Sequence, residues 1–210
     1  MANNNKDDSY LGNQLLKTTN VPQPFTKHEV EEYVKCRNNI VYFLKNYVKV
    51  IHVDHGLIPF DLYDYQQDLI NTLEEHRYVI VKSARQSGKS VTSLGYILHY
   101  ILFNKTKIVG MLANKASTSR ELLGRLQTAY QHLPKFLQQG IVEWNKGNLE
   151  LENGSKIIAS STSSSAIRGY SFSLLFLDEF AFVQRTIADA FIKSVYPTIS
   201  SGKDTKIIMV

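Results

Sequence analysis

The amino-acid sequence predicts an α/β fold in which a central, mainly parallel sheet is flanked by helices and preceded by a small helical region. Short apolar, β-rich runs alternate with helical segments over residues 61–210, and this alternation is typical of parallel sheets with helices on both faces. The first run leads directly into a loop and a helix, and a later run ends in two acidic residues. The runs are "YVIVK" (78–82), "KIVGMLA" (107–113), "LLFLD" (174–178) and "KIIMV" (206–210).

The first 60 residues divide into a polar tail and a helical region. Residues 1–22 are rich in Asn, Asp and Lys and have no sustained periodicity, which predicts a mobile tail. Residues 23–60 are predicted to be helical, with one helix over about 28–49. Thr26 and Glu29 have the spacing of a capping box at its start. Apolar side chains recur on one face of this helix at Ile40, Phe43, Leu44, Tyr47 and Val48.

The segments between the strands complete the predicted core over residues 61–210. The segment "LELENGSKIIAS" (149–160) places Asn153 and Gly154 between two alternating runs, which is a strong hairpin signal. The predicted helices cover 62–76, 89–103, 117–131 and 186–196.

Composition and charge restrict the class of protein. The net charge of +5 favours association with polyanions, although the basic residues are scattered along the chain. One cysteine, Cys36, excludes an internal disulfide and a cysteine-based metal cluster. No apolar run reaches the ~20 residues that span a membrane, and the first residues lack the apolar segment of a signal peptide. We therefore expect a soluble protein made in a cytoplasm.

The stretch "SARQSGKS" (83–90) resembles a phosphate-binding loop. Gly88, Lys89 and Ser90 match the end of the pattern G-x-x-x-x-G-K-[ST], and Ser83 replaces its first glycine. Such a loop directs backbone N–H groups at phosphate oxygens from the start of a helix. Lys89 can reach the β and γ phosphates, and the Ser90 hydroxyl can ligate magnesium. The preceding strand and the following helix provide the context that this motif needs.

The apolar run "LLFLD" indicates the second half of such a site. It is followed by Glu179, so that Asp178 and Glu179 lie at the carboxyl end of a buried strand, where ligands of parallel sheets bind. Asp178 is predicted to hold the magnesium shell. Glu179 is predicted to orient and polarise the attacking water.

Two arginines and one residue pair extend the candidate site. Arg85 lies inside the loop, and Arg168 in "SSAIRGYS" precedes the acidic strand; either guanidinium can neutralise charge during phosphoryl transfer. A surface ion pair is the alternative for Arg168. Tyr65 and Gln66 precede the first strand, and an aromatic ring and an amide can stack on adenine and hydrogen-bond to it. The alternative for this pair is an ordinary polar helix face.

Together these motifs resemble the ATPase domain of the large terminase subunit of tailed bacteriophages, most closely that of contractile-tailed phages. The resemblance extends from about Thr26 to the last residue, and it is carried by "DYQ", "SARQSGKS", "GIVEWNKGNLELENGS", "AIRGYS" and "LLFLDEFAF". It implies a P-loop NTPase fold of the ASCE/RecA-like type and the hydrolysis of ATP with Mg²⁺ to drive double-stranded DNA into a procapsid.

The resemblance also implies residue roles. Glu179, Arg85 and Arg168 would be catalytic, with Arg168 acting in cis or on a neighbouring subunit, and Ser90 and Asp178 would hold Mg²⁺. The residues implied to bind the nucleotide are Tyr65, Gln66, Ser83, Ala84, Arg85, Gln86, Ser87, Gly88, Lys89 and Ser90. The implied partners are DNA, the portal protein, the small terminase subunit and further copies in a ring. The implied location is the host bacterial cytoplasm, with transient docking at the procapsid portal.

The family pattern continues with a coupling motif and a nuclease domain, whereas this sequence stops at Val210 within a predicted strand. We therefore expect a fragment that lacks the nuclease. Two alternatives remain: a two-lobed helicase fragment, and a truncated nucleotide-binding fragment that does not hydrolyse.

Overall fold

A seven-stranded sheet forms the centre of the computed structural model, which describes residues 8–162, 169–200 and 202–210. Its strands are β5 (Tyr78–Ile80), β6 (Ile108–Ala113), β7 (Ile141–Trp144), β8 (Asn148–Leu151), β9 (Lys156–Ser161), β10 (Leu174–Asp178) and β11 (Lys206–Met209). Across the sheet the strand order is β5-β11-β10-β6-β9-β8-β7.

Five adjacent strands, from β5 to β9 in the sheet order, are parallel, and β8 and β7 complete the sheet with antiparallel pairing. All five residues of β10 are buried, as expected for a parallel strand covered on both faces. The parallel strands end at one edge of the sheet, where the candidate site lies. The predicted α/β class and mainly parallel sheet are confirmed. The hairpin at Asn153 and Gly154 is also confirmed, since β8 and β9 pair antiparallel across it.

Six α-helices are found in the described part of the chain. The helix predicted over 89–103 has those bounds, and those predicted over 62–76, 117–131 and 186–196 differ from the structure by a few residues. Their bounds are α1 (Lys27–Asn38), α2 (Ile40–Tyr47), α3 (Asp64–Glu75), α4 (Lys89–Phe103), α5 (Ala116–Gln131) and α6 (Arg185–Ser200). Among the described residues, no helix combines the length and the apolar character that a membrane span requires.

The single helix predicted over 28–49 is wrong, because Asn39 divides it into α1 and α2. Asn39 is extended, with φ −143° and ψ 102°, and its side chain accepts a hydrogen bond from the backbone N–H of Tyr42 at 2.8 Å. A short amide of this kind competes with the helical backbone and favours a cap. The capping box at the start of α1 is confirmed, since Thr26 and Glu29 each bond the backbone of the other.

The prediction of a mobile tail is wrong for the part of it that the structure describes. Strands β1 (Ser9–Tyr10) and β2 (Asn13–Lys17) form a hairpin. The side chain of Leu16 is only 1% exposed, and Gln138 bonds the backbone of Leu15 and Lys17. A buried leucine and several contacts with residues far along the chain, including an ion pair between Lys17 and Glu152, hold this segment, and none of them produces a periodic sequence pattern. A second hairpin, β3 (Lys49–His52) and β4 (Gly56–Pro59), follows α2 within the predicted helical region.

Candidate nucleotide site

The loop "SARQSGKS" joins the carboxyl end of β5 to the first residue of α4, Lys89. Gly88, the residue before the helix, is left-handed with φ 75°, a conformation that glycine adopts without strain. The N–H groups of Gly88, Lys89 and Ser90 donate to no acceptor among the described residues. Free N–H groups at a helix start attract anions, and the helix dipole adds to this attraction. The loop therefore has the geometry of a phosphate site.

Side chains of the loop close it on itself. The hydroxyls of Ser83 and Ser87 lie 2.8 Å apart, so the serine that replaces the usual glycine contributes a hydrogen bond within the loop. The Lys89 ammonium donates to the Ser83 carbonyl at 3.4 Å. This bond is long, and it leaves the ammonium at the loop, where it can turn to a phosphate.

The amino end of α3 packs against the loop. The Tyr65 hydroxyl donates to the Ser87 carbonyl at 2.9 Å, and the Gln66 Nε2 atom lies 3.5 Å from the same oxygen. The structure therefore brings Tyr65 and Gln66 to the loop, as the motif requires. Their contact with adenine stays a prediction.

Ser90 and Asp178 meet across the site. Asp178 ends β10 and is 6% exposed, and its Oδ1 atom accepts a hydrogen bond from the Ser90 hydroxyl at 3.1 Å. Burial raises the pKa of Asp178, while the bond from Ser90 and the nearby charge of Lys89 oppose that rise. A hydroxyl and a carboxylate side by side are the oxygen donors that Mg²⁺ prefers, so these two residues fit the predicted ion.

Glu179 differs from its neighbour Asp178 in both exposure and backbone conformation. Its side chain is exposed, and its backbone is left-handed with φ 52°. Such a conformation costs free energy for a residue other than glycine and is frequent at functional sites. It lies between β10 and a short 3₁₀ helix at Phe180–Phe182, so the carboxylate stands at the same sheet edge as the loop.

Of the two candidate arginines, the described residues include Arg85. Arg85 is exposed at the turn of the loop and makes no hydrogen bond or ion pair with the described part of the chain. A free guanidinium at this place is available to a ligand. Arg168 lies outside the described residues, so its role stays a prediction.

The sequence motifs do not include Arg125, which lies on α5. Its positive charge favours the ionised form of Asp178 and so opposes the rise in pKa that burial causes. It pairs with Glu121 at 2.6 Å. It also lines a cavity of about 630 Å³ between α4, α5 and the β3–β4 hairpin. No local pattern marks Arg125, because only the packing of α5 beside α4 brings it toward the site.

Three features define a P-loop NTPase fold. They are a mainly parallel sheet, a phosphate loop that leads into a helix, and a serine–aspartate pair at the edge where the parallel strands end. The chain belongs to the family of large terminase subunits: the family model "Terminase large subunit, T4likevirus-type, N-terminal" matches residues 80–209. The resemblance that the motifs indicated is therefore confirmed.

Solved structures of phage large terminases have the same fold. The HK97 bacteriophage large terminase superposes with a TM-score of 0.68 at 19% identity, over 82% of this chain and 37% of that one. The ATPase domain of the Thermus phage P74-26 large terminase gives a TM-score of 0.54 at 16% identity, over 71% and 65% of the two chains. The large terminase of a thermophilic bacteriophage in complex with ATP-gamma-S gives 0.54 at 14%, over 71% and 37%.

Proposed function

We propose that this chain is the ATPase motor domain of a large terminase and hydrolyses ATP, with Mg²⁺, to move double-stranded DNA into a procapsid. The observation that supports it most directly is the bond from Ser90 to Asp178 beside the unbonded N–H groups of the loop. In P-loop NTPases a serine or threonine of the loop and an aspartate at the end of a strand hold the metal. A terminase related to this chain has been solved with ATP-gamma-S.

Each residue of the site then has a chemical task. The N–H groups of Gly88, Lys89 and Ser90 bind phosphate oxygens, and the Lys89 ammonium exchanges the Ser83 carbonyl for the terminal phosphates. Ser90 and Asp178 would hold Mg²⁺, which polarises the phosphates when it is bound.

The remaining charged groups act on the reaction itself. Glu179 orients the attacking water and accepts its proton, a role that suits an exposed carboxylate beside a buried one. Arg85, from the loop, and Arg168, in cis or from a neighbouring copy, neutralise the charge that develops on the transferred phosphoryl group.

The partners follow from the family and are proposed with it: DNA, the portal protein, the small terminase subunit and further copies in a ring. The site of action would be the cytoplasm of the bacterial host, with docking at the procapsid. The positive net charge of the chain suits a polyanionic substrate. Because the chain spans 37% of the HK97 terminase, DNA cutting is proposed for the full-length protein and assigned to none of the described residues.

Replacing Glu179 with glutamine tests the proposal. We expect Glu179→Gln to bind ATP as the wild type does while turnover falls by about a hundredfold or more, because the amide does not accept the proton of the attacking water. Phosphate release and the binding of a fluorescent ATP analogue measure the two effects. Glu31→Gln, an exposed glutamate on α1, carries the same charge change as a control. Equal turnover in the wild type and in Glu179→Gln would contradict the assignment of Glu179 as a catalytic residue.

A further inference from the structure

The backbone of the phosphate loop makes few hydrogen bonds of its own. Among the described residues, no backbone–backbone hydrogen bond joins two residues of 83–88. The site requires this, because an N–H group that donates within the loop is not free to donate to a phosphate. Backbone bonds flank the loop on both sides, from the Val81 N–H to the Met209 carbonyl and from the Thr92 N–H to the Gly88 carbonyl. Between these two bonds, the shape of the loop depends on side chains.

The hydroxyls of Ser83 and Ser87 form a hydrogen bond across the loop. Their oxygen atoms lie 2.8 Å apart, and the two residues are four positions apart in the chain. The phosphate-loop pattern has a glycine where this chain has Ser83. A glycine has no side chain that could make this bond. The bond therefore exists because the sequence departs from the pattern at this position.

A second bond inside the loop, from the Lys89 ammonium to the Ser83 carbonyl at 3.4 Å, differs from the hydroxyl bond in what it uses. In the proposed function the ammonium turns to the terminal phosphates, so this bond is given up when a nucleotide binds. The bond between the hydroxyls uses neither an N–H group nor the ammonium. It can therefore hold the loop both before and after the phosphates arrive.

The residue that Ser83 holds, Ser87, lies between two residues with left-handed backbone. Gln86 has φ 61° and Gly88 has φ 75°. This conformation costs free energy for glutamine, and it persists where the surrounding structure holds it. Ser87 is held at its carbonyl by the Tyr65 hydroxyl at 2.9 Å and at its side chain by Ser83. Fixing Ser87 fixes the peptide units on both sides of it, including the unbonded N–H of Gly88.

We propose that Ser83 is a positioning residue of the phosphate loop: its hydroxyl, bonded to that of Ser87, sets the loop in its phosphate-binding shape before a nucleotide arrives. The inference rests on the proposed nucleotide-binding function and deepens it. Its consequence is that the glycine of the general pattern is not the better residue at position 83 of this chain. Restoring that glycine weakens the binding of the polyphosphate.

Four substitutions separate the hydroxyl bond from other effects. Ser83→Ala removes one hydroxyl, Ser87→Ala removes the other, and the double variant completes a double-mutant cycle. Ser83→Gly restores the glycine of the pattern. Ser83→Thr is the matched control, because it keeps a hydroxyl at the same place. The measurements are the dissociation constants of a fluorescent ATP analogue and of magnesium tripolyphosphate, kcat at saturating ATP, and the melting temperature without nucleotide.

We expect Ser83→Ala to weaken the binding of both ligands about fivefold, which corresponds to the net free energy of one hydrogen bond. Ser83→Gly loses about tenfold or more, because glycine also adds backbone freedom to the empty loop. Ser83→Thr binds as the wild type does, and the double alanine variant binds as weakly as either single variant. The kcat stays within about twofold, because bound phosphates themselves hold the loop. The melting temperature is unchanged, because Ser83 is exposed.

Three results would overturn the inference while leaving the proposed function intact. Losses that multiply in the double variant would show that each hydroxyl acts by itself, as two direct phosphate donors would. Unchanged or tighter binding by Ser83→Ala would show that the bond does not prepare the loop for phosphate. A lower melting temperature with unchanged binding would make Ser83 a stabilising residue alone. A wild-type chain that binds neither nucleotide nor tripolyphosphate, as we expect of Lys89→Ala, overturns the proposed function and the inference together.

Discussion

Two buried carboxylates, Glu32 in the helical region and Asp178 at the sheet edge, show two different uses of a buried charge. The Glu32 carboxylate accepts hydrogen bonds from the Lys35 ammonium at 2.7 Å and from the hydroxyls of Tyr42 at 2.7 Å and Tyr47 at 2.6 Å. The bond from Lys35, with those of the two tyrosines, lowers the pKa of Glu32 to about 2. This carboxylate is fully satisfied within the protein.

Asp178 has one hydrogen-bond donor among the described residues, the Ser90 hydroxyl. Burial outweighs that bond, so the pKa of Asp178 lies above its usual value. A buried charge without enough partners lowers stability, and a cation would supply what is missing. The satisfied carboxylate holds α1 and α2 together, whereas the carboxylate with one donor retains the capacity to bind a cation, as the proposed function requires.

The largest expected effect is a loss of ATP turnover when Asp178, and not Glu32, is replaced. We expect Asp178→Asn to lower ATP turnover about a hundredfold or more, since a metal-holding carboxylate is worth several kcal/mol in the transition state. Its melting temperature without nucleotide should equal or exceed that of the wild type, because the substitution removes an under-solvated charge. Turnover assays and calorimetry measure both, with Asp68→Asn, at an exposed position on α3, as the control. A clear drop in melting temperature would show that Asp178 is structural as well.

The reverse pattern is expected at Glu32. Glu32→Gln should lower the melting temperature by several degrees, because the amide loses the ion pair with Lys35 and turns a donor toward the tyrosine hydroxyls. Turnover at a temperature where the variant is folded should match the wild type. The adjacent exposed glutamate provides the control Glu31→Gln. A variant with normal melting and reduced turnover would contradict the contrast between the two sites.

The smallest expected effect is a pH dependence of the stability that Glu32 contributes. Its folded-state pKa of about 2 lies below the usual 4.5, so its ionised form stabilises the fold above pH 4.5, and this contribution is lost as the pH falls from 4.5 toward 2. Denaturant titrations give the unfolding free energies of the wild type and of Glu32→Gln. The difference between them should become smaller as the pH falls through that range. A difference that stays constant with pH would mean that the carboxylate is protonated or unpaired in the folded protein.

Features that depend on neighbouring residues could be predicted from the sequence. The hairpin at Asn153 and Gly154, the capping box of Thr26 and Glu29, and the bounds of α4 are local matters of turn chemistry, capping and periodicity. The phosphate loop and the acidic strand end are also short contiguous motifs, and the structure brings them to the same sheet edge because parallel strands end together.

Features that depend on distant partners could not be predicted in this way. The β1–β2 hairpin is ordered through Leu16 and Gln138, which are far apart in sequence. The break at Asn39 lies inside an unbroken helical pattern, and the extended conformation of one residue decided it. The charge of Arg125 reaches Asp178 only because α5 packs beside α4.

The class of fold, the terminase family and the phosphate loop follow from the amino-acid sequence alone, because each depends on contiguous residues whose backbone geometry follows from their own chemistry. The packing of the elements was needed to establish what Tyr65 and Gln66 touch, which carboxylate is satisfied, and which N–H groups of the loop lack an acceptor. The physical reason is that burial and hydrogen-bond satisfaction depend on which elements pack together, and Ser87 and Gln66 are brought together only when α3 lies against the loop.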